Sequence, residues 1–84
     1  MKITNVHVKK IKNNDPHFIG VASVVIDDVF VIKNIKIIKN DKRVFLSMPN
    51  QKMPDGKYSD LSHPLTSDCR QMFEDIILSK FNEV

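Results

Sequence analysis

Residues 18–39 read FIGVASVVIDDVFVIKNIKIIK. Two runs rich in Val and Ile flank one acidic pair, Asp27-Asp28. Val and Ile suit a pleated, half-buried surface, so residues 18–26 and 29–39 are expected to be successive strands. The two aspartates between them read as a tight hairpin turn. Residues 18–26 are apolar on both faces, so cover is expected on both. In the partner run, simple strand alternation places Lys33 and Lys39 on one face and Lys36 on the other.

Working outward, residues 2–12, KITNVHVKKIK, form a further strand with Val6 and Val8 on one side and His7 and Lys9 on the other. Asn13-Asn14-Asp15-Pro16 is a turn cluster that ends it. Asn40-Asp41-Lys42 is another short turn, and residues 43–48, RVFLSM, form a fourth strand. Short turns between successive strands imply an antiparallel meander. The tail then changes period. Cys69, Met72, Phe73, Ile76, Ile77 and Phe81 fall on one helical stripe. Thr66 or Ser67 can cap that helix, with Asp68 favourably placed beside its N-terminal dipole. The expected architecture is α+β: one domain over residues 1–84, with the antiparallel sheet in 1–48, a loop in 49–65 and a helix in 66–83. A single helix covers much of one sheet face but not both. The surplus apolar surface predicts a homodimer, formed by pairing edge strands or by exchanging helices.

Residues 48–64, MPNQKMPDGKYSDLSHP, join sheet to helix and hold three of the four prolines and one of the two glycines. A connection this long in a small domain is either functional or disordered. The prolines restrict its backbone, and Asp55-Gly56 is a strong turn signal. The stretch therefore reads as a shaped loop.

Composition narrows the function classes. The 84 residues allow one domain, and 42% hydrophobic content is not that of a disordered chain. No apolar run approaches the roughly 18 residues that span a membrane, and MKITNVHVKK lacks a signal-peptide core. Cys69 is the only cysteine, which excludes an intramolecular disulfide and a cysteine-based zinc site within one chain. A soluble, reducing, cytoplasmic setting is expected. The net charge is +3, and eleven of the thirteen basic residues are lysine. Residues 1–58 carry +6 and residues 59–84 carry −3. A basic face distinct from an acidic tail is implied.

Catalytic signals are sparse. No nucleophile elbow, P-loop or dinucleotide fingerprint is present; Gly20 and Gly56 stand alone. Asp55, Asp60 and His63 could bind a metal or form an acid–base pair, but a His-Pro pair entering a helix is more often a structural turn. Cys69 lies on the apolar stripe, where a cysteine is usually core. The expectation is a protein that is not an enzyme, with no cofactor, no metal and no small-molecule substrate. Lys52 and Lys57 have a different context. With Asn50, Gln51, Tyr58 and Ser59 they offer phosphate-binding cations, amides that read base edges and a ring that stacks. Arg70, in the first helical turn, could reach the same place. Elsewhere, Lys9, Lys10 and Lys12 close the first strand.

The order of features in FLSMPNQKMPDGKYSDLSHPLTSDCR, together with KITNVHVKKI and VASVVIDDVFVIKNIKII, resembles the SpoVG family of bacteria, the stage V sporulation protein G or septation proteins. The resemblance covers essentially the whole chain. It implies a small α+β protein that dimerises through its sheet and binds DNA and RNA site-selectively to regulate gene expression. Family programmes include sporulation, septation, capsule and virulence. Carried across by position, Lys9 and Lys10 match the family's basic pair in strand one, Lys52 a basic loop position, and Arg70 the arginine at the helix start. Gln51 stands where many members have a second basic residue, and His7 where arginine is common, so the cationic surface is thinner here. The implied nucleic-acid-binding set is Lys9, Lys10, Gln51, Lys52, Lys57 and Arg70. Two other readings compete. One is a protein-interaction module that docks on another regulator through the acidic helix residues Asp68, Glu74, Asp75 and Glu83. The other, weaker, is a small enzyme using Asp60 and His63.

Overall fold

The computed structural model describes residues 2–12 and 14–84. The acidic pair between the two central runs sets the sheet geometry. Asp27 and Asp28 have φ of 52° and 59°, and the Val29 N–H donates to the Ile26 carbonyl at 3.0 Å. Two successive positive φ values make this a type I′ turn, whose twist matches that of the strands it joins. Aspartate tolerates the left-handed region better than most residues. The turn is also tied to the neighbouring strand: Asp27 Oδ1 accepts from the Lys2 N–H at 3.0 Å, and the Asp28 N–H donates to Thr4 Oγ1 at 3.0 Å.

Around that turn, β1 (Ile3–Lys10), β2 (Phe18–Ile26), β3 (Phe30–Lys39) and β4 (Val44–Ser47) form an antiparallel sheet in the order β1-β2-β3-β4. This is the expected meander. The β3–β4 turn is closed by Asn40, whose Oδ1 accepts from the N–H groups of Lys42 and Arg43 at 2.9 Å each. In the β1–β2 connection, Asp15 Oδ1 accepts from the His17 N–H at 2.9 Å. Asn13, expected to share in that turn, lies outside the described residues.

The helix α1 (Ser67–Glu83) follows Thr66, whose Oγ1 accepts from the Cys69 N–H at 3.1 Å. Thr66 is thus the cap. The core lies between α1 and one face of the sheet. It comprises Ala22, Val24, Ile35, Ile37, Leu46 and Met48 from the strands and the residue after β4, with Phe73 and Ile77 from the helix. Ile35, Ile37 and Ile77 are fully buried, each contributing about 1.5–3 kcal/mol relative to an exposed position. Cys69, Met72, Leu78 and Phe81 pack around this centre. Leu78 was not part of the expected stripe. It flanks Ile77 by 100° of helical rotation, on the side opposite Ile76, which is half-buried and outside the cluster.

Two expectations are corrected. The segment 49–65 is not loop throughout. Asn50–Lys52 (β5) and Tyr58–Asp60 (β6) pair antiparallel as a separate two-stranded ribbon. Its tip is a three-residue hairpin loop: the Gly56 N–H donates to the Met53 carbonyl at 2.9 Å, and the Met53 N–H to the Lys57 carbonyl at 2.7 Å. Gly56 sits at φ 88°, the left-handed position that such a bulged turn requires. The lysines of β3 are also distributed differently from simple alternation. Ala22 pairs with Ile35, but Val24 pairs with Ile32, so two steps along β2 match three along β3. The extra residue is Asn34, at φ 62°. This bulge puts Ile32, Ile35 and Ile37 on the same, core-facing side. Lys33 and Lys36 therefore share the other side, and Lys39 takes the core side, opposite Val44.

Candidate nucleic-acid interface

The side of the sheet away from α1 is an open face whose residues lie in transverse rows set by the strand registers. One row runs Lys9–Val21–Lys36–Ser47 across β1 to β4. The adjacent row toward the β2–β3 turn pairs His7 with Ser23, and Lys33 and Asn34 of the bulge lie opposite Ser23. The row on the other side is Phe18–Ile38–Phe45. A shallow depression of about 260 Å³ is lined by His7, Lys9, Val21, Ser23, Lys33 and Asn34, among others. A second, of about 230 Å³, brings Asn34 and Lys36 together with Pro49, Asn50 and Leu61. Asn34 belongs to both, so the open face continues from β1 to the base of the β5–β6 ribbon.

Charge is distributed with one sign here. None of the ten acidic residues falls within β1 to β4, which hold five lysines. Lys9, Lys33 and Lys36 are exposed. Lys36 Nζ lies 5.5 Å from the centroid of the Phe18 ring, and the Arg43 guanidinium carbon 5.4 Å from that of Phe45. These cation–π contacts hold the long side chains over the face without neutralising them. Only one ion pair, Lys80–Glu83 at 3.9 Å, is formed among the described residues, and it is on α1. The open-face cations are thus available to an anion.

The sequence-derived residues are placed as follows. Lys9 is on the open face. Lys10, its neighbour, points to the opposite side because successive strand residues alternate; its Nζ stands 5.0 Å from the Phe81 ring centroid, at the helix–sheet seam. Gln51 and Lys52 are on β5, opposite Ser59 and Tyr58, and the Gln51 amide is directed at Met53 Sδ at 3.9 Å. Lys57 follows Gly56 in the ribbon tip, where its N–H donates to Asp55 Oδ1 at 2.9 Å. Arg70 is on α1, across the sheet from Lys9, Lys33 and Lys36. The structure therefore brings Lys9 together with Lys33 and Lys36 and joins that face to the ribbon bearing Gln51, Lys52 and Lys57. Lys10 and Arg70 stand apart on the helix side.

Lys33, Lys36 and Arg43 were not singled out from sequence. A phase slip was present: Ile32, Ile35 and Ile37 are spaced by three and then two, with an asparagine inside the slip. Asparagine's tolerance of left-handed φ marks such a residue as a bulge. Of the enzyme-like candidates, Asp55 accepts from the Lys57 N–H, and His63 and Cys69 line one depression with Pro64 and Phe73. His63 Nδ1 donates to the Pro64 carbonyl at 2.9 Å, and no group of three or more metal-ligating side chains is found among the described residues. No helix of the described residues is long and apolar enough to cross a membrane.

Comparison with known proteins places this geometry in a family context. The family model described as SpoVG matches residues 1–83. A relative from Phytoplasma australiense, named "Putative septation protein SpoVG", is 40% identical over all of this chain and 86% of its own length. Relatives of the same name from Staphylococcus aureus (strain MRSA252) and Acholeplasma laidlawii are 33% and 36% identical, over 83% and 87% of their lengths.

Proposed function

The chain belongs to the SpoVG family, and on that premise we propose that it is a homodimeric, site-selective nucleic-acid-binding protein that regulates bacterial gene expression, in septation- or sporulation-type programmes. The observation that carries this reading is the sheet without acidic residues, whose open face presents Lys9, Lys33 and Lys36 and runs on to the ribbon with Lys52 and Lys57. Each lysine that neutralises a phosphate releases a counterion, so affinity falls steeply with salt. Five such lysines give a slope of log K against log salt of up to about −4.5 per protomer on duplex DNA.

The dimer is supported by apolar surface that one copy leaves uncovered. Val29, Phe30 and Val31 at the β2–β3 turn are 85%, 61% and 47% exposed, and Leu65 is 90% exposed. The strand order also leaves β1 and β4 as sheet edges, which invite pairing. Dimerisation places two basic faces on one particle.

A mobility-shift titration over a range of salt concentrations tests the reading. Replacing Lys9 and Lys36 with alanine is expected to reduce the salt slope by about two per protomer, and Lys52→Ala with Lys57→Ala to do the same. Lys10→Ala, on the helix side, leaves the slope unchanged. An unchanged slope in both double variants rejects this surface as the binding site. Partner recovery in pull-downs that survives nuclease treatment would favour docking on another regulator instead.

A further inference from the structure

We infer that the open face is a platform for single-stranded nucleic acid, with bases stacking on Phe18 and Phe45 while Lys9 and Lys36 hold the backbone. The inference rests on the nucleic-acid reading above and adds the strandedness of the ligand and the residues that read it. The argument is the order of the rows. Phe18–Ile38–Phe45 lies immediately beside Lys9–Val21–Lys36–Ser47. Neighbouring strands are about 4.8 Å apart, and rows two residues apart along β3 and β4 are separated by about 6.6 Å; on β2 a register shift between Phe18 and Gly20 brings Phe18 to the open side. The two rings and the two lysines therefore form parallel lines, with about 10 Å between the backbones of the two members of each line. A chain crossing the strands meets cations along one side and aromatic surface along the other.

Duplex DNA can meet the lysines through its phosphates but cannot use the rings. Its bases are stacked internally and are read by a helix or ribbon that enters a groove. The β5–β6 ribbon meets this face at Asn34 and Lys36 rather than at the rings, and α1 lies on the other side of the sheet. Unpaired bases can stack on side-chain rings, and a groove with cations tracks their backbone. The cations now resting over Phe18 and Phe45, at 5.5 and 5.4 Å, swing aside to phosphate, and bases take their places on the rings. No carboxylate within β1 to β4 opposes the polyanion.

Fluorescence anisotropy of the full chain tests this, using an oligothymidylate of about a dozen nucleotides, within the usual site size of single-strand platforms, and a duplex of equal length. The variant is Phe18→Leu with Phe45→Leu, which keeps apolar bulk and removes the rings; its fold is checked by thermal melting. Single-strand affinity is expected to fall about fivefold or more per ring, with duplex affinity and the salt slope retained. Equal affinity of the variant and the wild type for the oligothymidylate overturns the inference, as does an equal loss for both ligands. Loss of the dimer in the variant would assign the face to a second copy and also overturn it. If the variant does not fold, the wild type is photo-crosslinked to a bromouracil-substituted oligonucleotide. Crosslinked peptides spanning Phe18 and Phe45 support the platform, and crosslinks confined to the β5–β6 ribbon reject it. Failure of the wild type to bind either ligand would defeat the nucleic-acid reading itself.

Discussion

The side of the sheet on which Lys33 stands depends on the backbone of Asn34, and that dependence can be measured. Asn34 has φ 62° and is the extra residue of the β3 bulge. A side chain with a Cβ in this region costs about 1–2 kcal/mol, a cost that asparagine moderates through local hydrogen bonding. Asn34→Gly removes the Cβ cost but leaves a more flexible unfolded chain, which opposes it by about 0.5–1 kcal/mol. The two nearly cancel, so the glycine variant is expected within about 0.5 kcal/mol of wild type. Asn34→Ala keeps the Cβ without the polar group and loses about 1 kcal/mol. Asn34→Val adds β-branching and loses about 2 kcal/mol.

At about 0.05–0.15 kcal/mol per residue, a chain of 84 residues has roughly 4–13 kcal/mol of stability, so all three variants fold. For a domain of this size each kcal/mol moves the melting temperature by about 4–8 °C. Circular dichroism melts should rank Gly with Asn, Ala about 5 °C lower and Val about 10 °C lower. A variant that escapes strain by losing the bulge would also turn Lys33 to the helix side and reduce the salt slope by about one. Alanine and valine variants that melt with the wild type would refute the positive-φ bulge, and with it the shared face of Lys33 and Lys36.

Other outcomes follow from single contacts. Thr66→Ala removes the acceptor of the Cys69 N–H and should cost about 1 kcal/mol, with Thr66→Ser restoring it in the same urea titration. Gly20→Ala would place a Cβ 3.1 Å from Phe81 Cε2 and 3.2 Å from both Ile37 Cδ1 and the Lys9 carbonyl oxygen. Overpacking of this kind costs about 1–3 kcal/mol, more than the gain from stiffening the unfolded chain, so the denaturation midpoint falls; an unchanged or raised midpoint would contradict the tight seam between α1 and the sheet. Phe30→Asp, at the exposed β2–β3 turn, is expected to shift light-scattering mass from dimer to monomer with the melting temperature of the monomer retained, and a persisting dimer would direct attention to the β4 edge.

Much of the architecture was legible because it is local. Alternating Val6 and Val8, the Asp27-Asp28 turn, the Asn40 turn, the Thr66 cap and the helical stripe are each decided by residues within a few positions of one another. The Pro-Asp-Gly signal likewise marked the tip of the β5–β6 ribbon. The ribbon's strands did not announce themselves, because Asn50-Gln51-Lys52 and Tyr58-Ser59-Asp60 are polar on both faces and pair through backbone groups, leaving no hydrophobic period to read.

The candidate site was less visible for a different reason. Which lysines share a surface is a property of strand register, and register is fixed by pairing between residues far apart in the chain. Sequence by itself determined the four strands of the sheet and the helix, their order, the family and an excess of positive charge in the first two-thirds. Only the tertiary structure decided that Lys10 turns to Phe81 at the helix seam, that a one-residue bulge at Asn34 moves Lys33 to the side of Lys36 and Lys9, and that this face meets the ribbon at Asn50. A single backbone torsion in the left-handed region changes the facing of every residue beyond it, and the packing of Ile32, Ile35 and Ile37 against one core holds that torsion in place.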